Sequence, residues 1–266
     1  MMFRGRTAHV FAYVAASATA LFIAATPAFA GLFFTAEVRE AYEDNVSGLA
    51  SDSFSASALQ KQGDFSTELF AELGYSYKVA GGTTLIARTS AQHDEYARFG
   101  EFDFTVVRVS AGVRQRLTDV FSARLMLNGK AKNYDNPLKD GTSVGATMGL
   151  REQLGRTFWL SQFYEFERNN ADSALYRYNG HSVRVRAGYD VTNALLVSAG
   201  YSYLRREYDD PAFFRVISHT VSADLTVYLG KRWSIIPAYD RETTEENFFN
   251  TVSTNNIYSV GIQYAY

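Results

Sequence analysis

Phe65-Ser66-Thr67-Glu68-Leu69-Phe70-Ala71-Glu72-Leu73-Gly74-Tyr75-Ser76-Tyr77-Lys78-Val79 is the stretch that decides the fold. Its odd positions hold Phe, Thr, Leu, Ala, Leu, Tyr, Tyr and Val, while its even positions are mostly polar or tiny. Successive side chains of a strand point to opposite faces, so the stretch is a strand with one apolar and one polar side. The same two-residue period runs through Val107–Val113, Phe121–Leu127, Val144–Leu150, Val183–Tyr189, Leu195–Tyr203, Val221–Leu229 and Tyr258–Tyr266. A soluble sandwich of strands would alternate in the same way, so alternation alone leaves the fold open.

Spacing narrows it. Tight-turn signals at Gly81, Thr118, Gly155, Thr192 and Gly230 lie 37, 37, 37 and 38 residues apart, and the sequence ends 36 residues after the last. Each interval holds one strand out, a loop and one strand back. The predicted spans are 32–43, 64–79, 83–96, 102–117, 120–134, 142–154, 157–168, 176–190, 194–208, 213–229, 232–245 and 254–266. An even number of antiparallel strands, with both ends on the turn side, predicts an all-β, up-and-down transmembrane barrel of about 12 strands. A second repeat supports it: Gly74, Gly112, Gly149, Gly188, Asp224 and Gly261 recur at spacings of 38, 37, 39, 36 and 37 residues, all on the polar, inward parity. Glycine there is expected to make room for a long neighbour such as Arg or Tyr. Tyr134-Asp135-Asn136-Pro137 also returns as Tyr208-Asp209-Asp210-Pro211.

Residues 1–30 read as a cleaved Sec signal peptide. Arg4 and Arg6 precede an apolar stretch from Val10 to Ala25, and Ala28-Phe29-Ala30 is a small-x-small cleavage pattern, so residues 31–266 are expected to form the barrel. Cys is absent, which excludes disulfides, thiolate metal sites and attachment of lipid through an N-terminal cysteine. The chain carries 26 basic against 28 acidic residues; losing Arg4 and Arg6 takes the formal charge from −2 to −4, the wrong sign for a nucleic-acid binder. Aromatics form two groups, as interfacial belts require. Tyr77, Phe121, Phe158, Tyr189, Trp233 and Tyr266 lie toward the turns, and Tyr42, Tyr96, Phe104, Tyr176, Tyr203 and Phe213 toward the loops.

The last strand resembles the C-terminal signal read by the outer-membrane assembly machinery, in Ser259, Gly261, Tyr264 and Tyr266, with Val260 and Ile262 on the lipid face. The resemblance implies a Gram-negative outer-membrane location, export through the periplasm, and the barrel-assembly machinery, outer-membrane lipid and lipopolysaccharide as partners. At the level of the whole chain there is a looser likeness to porin-like barrels, some associated with exopolysaccharide secretion, in which an acidic-Asn step such as Glu43-Asp44-Asn45 follows the first strand.

Inward parity collects the pore-lining candidates. Arg88, Arg108, Arg114, Arg116, Arg124, Lys130 and Arg151 fall on strands three to six, and Arg184 and Arg186 on strand eight. Acids fall elsewhere: Glu68 and Glu72 on strand two, Glu165 and Glu167 on strand seven, Asp224 on strand ten, and Asp240 and Glu242 on strand eleven. Charges inside a barrel must be hydrated or paired. Hydrated, they give a narrow, porin-like passive channel for small polar or charged solutes, with opposed Arg and Glu/Asp sectors. Fully paired, they give a non-conducting structural or secretion-accessory barrel, an envelope or exopolysaccharide-export partner. An outer-membrane hydrolase is the third class, but His93, His181 and His219 adjoin Asp94, Ser182 and Thr220 on strands, where neighbours face opposite ways. The reading is therefore not an enzyme, with no cofactor, metal or nucleic acid required. The long first loop, about residues 44–63, is expected either to fold inward or to stay outside.

Overall fold

The computed structural model describes residues 31–46, 62–210, 214–247 and 250–266. The expected leader, most of the long first loop and Phe213 lie outside the described residues. Twelve strands follow one another: β1 (Leu32–Glu43), β2 (Asp64–Lys78), β3 (Thr83–Tyr96), β4 (Phe104–Arg116), β5 (Phe121–Tyr134), β6 (Gly141–Leu154), β7 (Phe158–Ala171), β8 (Tyr178–Thr192), β9 (Leu195–Tyr208), β10 (Arg215–Leu229), β11 (Trp233–Glu246) and β12 (Thr251–Ala265). Each pairs antiparallel with its sequence neighbours, and β12 pairs with β1, which closes the barrel. Closure leaves no sheet edge to present unpaired N–H and C=O groups to lipid.

Strand ends match the alternation to within two residues except at two places. β7 runs on to Ala171 and β12 begins at Thr251. In β7 the extra residues Asn169, Asn170 and Ala171 pair with Ser143, Thr142 and Gly141, and the Asn169 amide also donates to the Tyr176 carbonyl at 2.8 Å. Alternation marks only the part of a strand that faces lipid; polar residues beyond it keep the ladder going unmarked.

The turns use two chemistries. Gly81, Gly82, Gly155 and Gly230 have φ of 70°, 80°, 76° and 81°, the left-handed region that side-chain-bearing residues avoid. At the other two turns, the Thr118 hydroxyl accepts from the Phe121 N–H at 3.0 Å and the Thr192 hydroxyl from the Ala194 N–H at 3.1 Å. The loop side repeats as faithfully. Short 3₁₀ turns at Gly100–Phe102, Pro137–Lys139 and Ala174–Tyr176 begin 37 residues apart. The peptide N–H groups of Asp135, Asp172 and Asp209 donate to the carbonyls of Asp103, Asp140 and Arg177 at 3.0, 2.7 and 2.9 Å, lacing each loop to the one before. The Arg168 guanidinium holds the loop carboxyl of Asp209 below its ordinary pKa, whereas burial raises that of Asp103.

The inward glycines sit under bulky neighbours: Phe33, Met126, Phe163 and Trp159 over Gly74, Gly112, Gly149 and Gly188, and the charged Glu37 and Arg39 over Gly261. A Cβ on Gly149 would lie 2.5 Å from the Phe163 ring, and one on Gly188 would lie 2.4 Å from the Trp159 ring. Gly149→Val is therefore expected to lower the yield of folded barrel, and Phe163→Ala in the same chain to restore it. Equal yields of the single and double variants, measured by the boiling-dependent gel shift of a closed barrel, would contradict this packing.

The turn-side aromatics Tyr77, Phe121, Phe158, Tyr189, Trp233 and Tyr266 all face outward. The loop-side group needs correcting. Tyr42 and Tyr203 face outward, but Tyr96 and Phe104 share the inward parity of Arg88 and Arg108, and Tyr176 lies on a loop turn over the lumen. Phe65, Tyr164, Phe166, Tyr201 and Tyr258 complete the outer belt instead, all substantially exposed.

Candidate functional site

The register places every pore-lining candidate on one face of the sheet. Ladder pairs such as Gly74 with Arg88, Arg114 with Arg124, Gly149 with Phe163, Phe163 with Arg184 and Ser198 with Asp224 run from strand to strand around that face. It is concave, because ion pairs on it skip a strand: Lys130 on β5 reaches Glu165 and Glu167 on β7, and Arg186 on β8 reaches Asp224 on β10.

These contacts redraw the charge map. Lys130 Nζ lies 3.2 Å from Glu165 Oε1 and also pairs with Glu167, while Lys132 Nζ lies 2.6 Å from Glu167 Oε1. Tyr178 donates its hydroxyl to Glu167 at 3.2 Å, and Arg184 reaches Glu165 at 3.2 Å. The four side chains Lys130, Lys132, Glu165 and Glu167 are each only 9–13% exposed, so this knot is shielded from bulk water. Ser198 donates to Asp224 at 2.8 Å and accepts from Arg186 Nε at 3.0 Å. Arg88 meets Glu72 at 3.2 Å. Basic and acidic strands are thus stitched together across much of the lumen, not held apart as sectors.

What stays unpaired has its own order. Among the described residues Arg108, Arg114, Arg124 and Arg151 have no carboxylate within ion-pair distance, and neither Glu68, Asp94, Asp240 nor Glu242 has a cation. Arg114, Arg124 and Arg151 stand two or three residues from the turn-side ends of their strands. Glu68, Asp94 and Glu242 stand in the loop-side halves of theirs, with Gln92 donating to Asp94 at 3.1 Å and Ser218 donating to Glu242. Arg108 stands in the loop-side half of β4, so the unpaired positive charge is concentrated at the turn side without being confined to it.

Three cavities follow the barrel axis. One of about 540 Å³ opens at the turn side beside Lys78, Arg114, Arg116 and Arg151. One of about 280 Å³ lies among Phe33, Glu72, Arg88, Arg114, Arg124 and Met126. A third, of about 320 Å³, lies under the loops between an aromatic wall (Tyr96, Phe102, Phe104, Tyr134) and a polar wall that includes Arg206, Ser218, Glu242 and Thr244.

Several residues of this interior went unread in the sequence. Glu37 and Arg39 on β1 pair at 2.6 Å, and Lys132 and Tyr178 complete the central knot. Carrying the parity of β2 and β5 through the ladder would have found Glu37, Arg39 and Lys132. Lys139 carried no periodic signal at all. It is 8% exposed and lies over the rings of Phe102, Tyr134 and Tyr176, at 5.5, 5.9 and 5.7 Å.

The residues expected to form the assembly signal gather at the closing seam. Ser259 and Gly261 face inward, and Tyr264 and Tyr266 outward. The N–H groups of Phe34 and Tyr266 each donate to the other's carbonyl, at 3.0 and 2.8 Å. Tyr264 packs on Trp233 at 5.0 Å, and Arg232 lies over the Tyr266 ring at 4.9 Å. Glu43, Asp44 and Asn45 close the other end of the same seam. Asn255 donates to Glu43 at 2.9 Å, Asn256 donates to Asp44 from both its backbone and side chain at 2.7 Å, and Asn45 donates to the Thr254 carbonyl at 2.9 Å.

Among the described residues the histidines lie away from the lumen, on the outward face. His93 is 2.9 Å from the Thr105 hydroxyl, His181 is 2.8 Å from that of Tyr164, and His219 is 2.7 Å from that of Tyr201.

Among solved structures, an outer membrane channel from Pseudomonas putida F1 superposes with a TM-score of 0.67 at 11% identity, covering 91% of this chain and 97% of the other. The fold is that of an outer-membrane porin-like barrel. The NanC porin superposes with a TM-score of 0.55 at 11% identity, over 86% and 98% of the two chains. The Pseudomonas putida toluene transporter TodX gives 0.50 at 13% identity, over 90% of each. No family model and no curated protein matches the sequence.

Proposed function

We propose that the barrel is a narrow passive channel of the outer membrane for small polar or charged solutes. The observation that carries the reading is the set of lumen charges with no partner. An arginine without a counter-ion is tolerated inside a barrel only where water reaches it, and Arg108, Arg114, Arg124 and Arg151 extend along the wall from the turn-side mouth. The knot of Lys130, Lys132, Glu165 and Glu167 stands toward the loop-side ends of β5 and β7. Together they give a field that a permeating ion crosses in series, with unpaired positive charge weighted toward the turns and unpaired carboxylates toward the loops. Outer-membrane residence, a leader cleaved before Gly31, assembly through the C-terminal strand, and contact with lipopolysaccharide complete the proposal.

Discrete conductance steps from purified barrel in a planar bilayer are the expected result. Replacing Arg108 and Arg124 together with Ser should shift the reversal potential toward cations, because each charge acts over about a Debye length of ~10 Å at moderate salt. The melting temperature should barely move, since neither residue has an ion pair to lose. The non-conducting reading draws on the central knot, and a silent parent barrel that melts early in this variant would favour it over the channel.

A further inference from the structure

We propose that the turn-side half of the lumen holds a binding site for a multiply charged phosphoryl anion, built from Arg88, Arg114 and Arg124, with Arg151 at its mouth. Arg114 and Arg124 are direct partners in the β4–β5 register, an arrangement of like charges that opposes strand pairing unless something negative lies between or beside them. Arg88 lines the same 280 Å³ cavity, where the single carboxylate is Glu72, already paired with Arg88. Three guanidinium groups thus share one carboxylate. The 540 Å³ mouth cavity shares Arg114 and adds Lys78, Arg116 and Arg151, against one acid, Asp119, which pairs with Arg116 at 2.8 Å.

The way these arginines are held points to a ligand. Arg124 lies over the Phe163 ring at 5.0 Å and Arg151 over the Trp159 ring at 4.7 Å. Stacking satisfies the face of a guanidinium and fixes its plane, but its N–H donors lie in that plane and still need acceptors. The Nε atoms of Arg88 and Arg124 are buried and have no acceptor among the described residues, so the outer nitrogens of these groups are the donors left for a ligand. A rigid set of in-plane donors converging on one cavity suits an oxyanion with several acceptor oxygens and more than one charge, which a phosphate or phosphate monoester supplies and a halide does not. The inner cavity accepts the phosphoryl group, and the mouth accepts the rest of an ester.

The site deepens the channel reading, yet binding does not require conduction, so the two can fail separately. Inorganic phosphate titrated into the full-length mature barrel in zwitterionic detergent, at constant ionic strength held by chloride, should bind saturably and raise the melting temperature in step. Arg114→Gln with Arg124→Gln should weaken binding at least tenfold while preserving the boiling-dependent gel shift, and Arg241→Gln on the outer face should leave it unchanged. Arg124→Lys, which keeps the charge and loses the fork, should fall between. Phosphate that binds no better than chloride, or equally well in the double variant, overturns the site. If the double variant fails to fold, the phosphate titration of the parent with and without sulfate as competitor decides, and absence of saturation there overturns it equally. Saturable binding by a barrel that never conducts would keep the site and remove the channel.

Discussion

Deleting Tyr266, or replacing Tyr264 and Tyr266 together with Ser, is expected to lower the amount of assembled barrel in the outer membrane by roughly an order of magnitude, because the seam is where the ring must close. The β1–β12 ladder is held at its turn end by the reciprocal Phe34–Tyr266 backbone pair and by outward rings resting on Trp233 and Arg232. Truncation removes both of those backbone bonds and unpairs the turn-side end of the seam, where the Thr35–Ala265 to Glu43–Ile257 pairs must then close the ring without it. A matching change at Tyr176, which stacks over Lys139 and takes no part in the seam, should leave assembly near the parent level. Outer-membrane fractions probed for heat-modifiable protein give the comparison, and normal levels of the truncated chain would sink the role assigned to the terminal strand.

Glu167→Ala is expected to be the most destabilising single change in the lumen, at about 3–5 kcal/mol, because it strands the shielded Lys132 ammonium and leaves Lys130 with Glu165 alone. Lys130 and Lys132 both pair with Glu167, and Tyr178 donates to it. By comparison Arg108→Ser abandons no ion pair and should cost under about 1 kcal/mol. Denaturant unfolding in detergent or lipid vesicles measures both. Equal midpoints for the two variants would show that the knot is hydrated and contributes little.

The sequence announced the architecture because lipid forces a strict period of two on the outward face, and because the turns recur every 37 residues. Side-chain parity was equally legible, which is why Arg88, Arg108, Glu165 and Asp224 were assigned to one face. Pairing was not. Lys130 and Glu165 are 35 residues apart with a strand between them, and Arg186 and Asp224 are 38 apart. Whether such groups meet depends on barrel curvature and on which side chain leans which way, and neither leaves a trace in alternation. Tyr96 and Phe104 differ from the expected belt for a related reason: an aromatic near a strand end suggests a belt, but parity decides whether it faces lipid or lumen. Lys139 shows a third limit, since its setting comes from equivalent positions in the neighbouring loops.

The regularity of the rim has a genealogical consequence. Among the described residues, three successive units each bring a turn, a 3₁₀ cap and a backbone hydrogen bond to the neighbouring loop. A chain assembled by tandem duplication of such a segment could gain or lose one copy and still close, changing the strand count by two each time. Phe102, Lys139 and Tyr176, one site in three successive copies, then read as divergence after copying, with the middle copy turned cationic between two aromatic siblings.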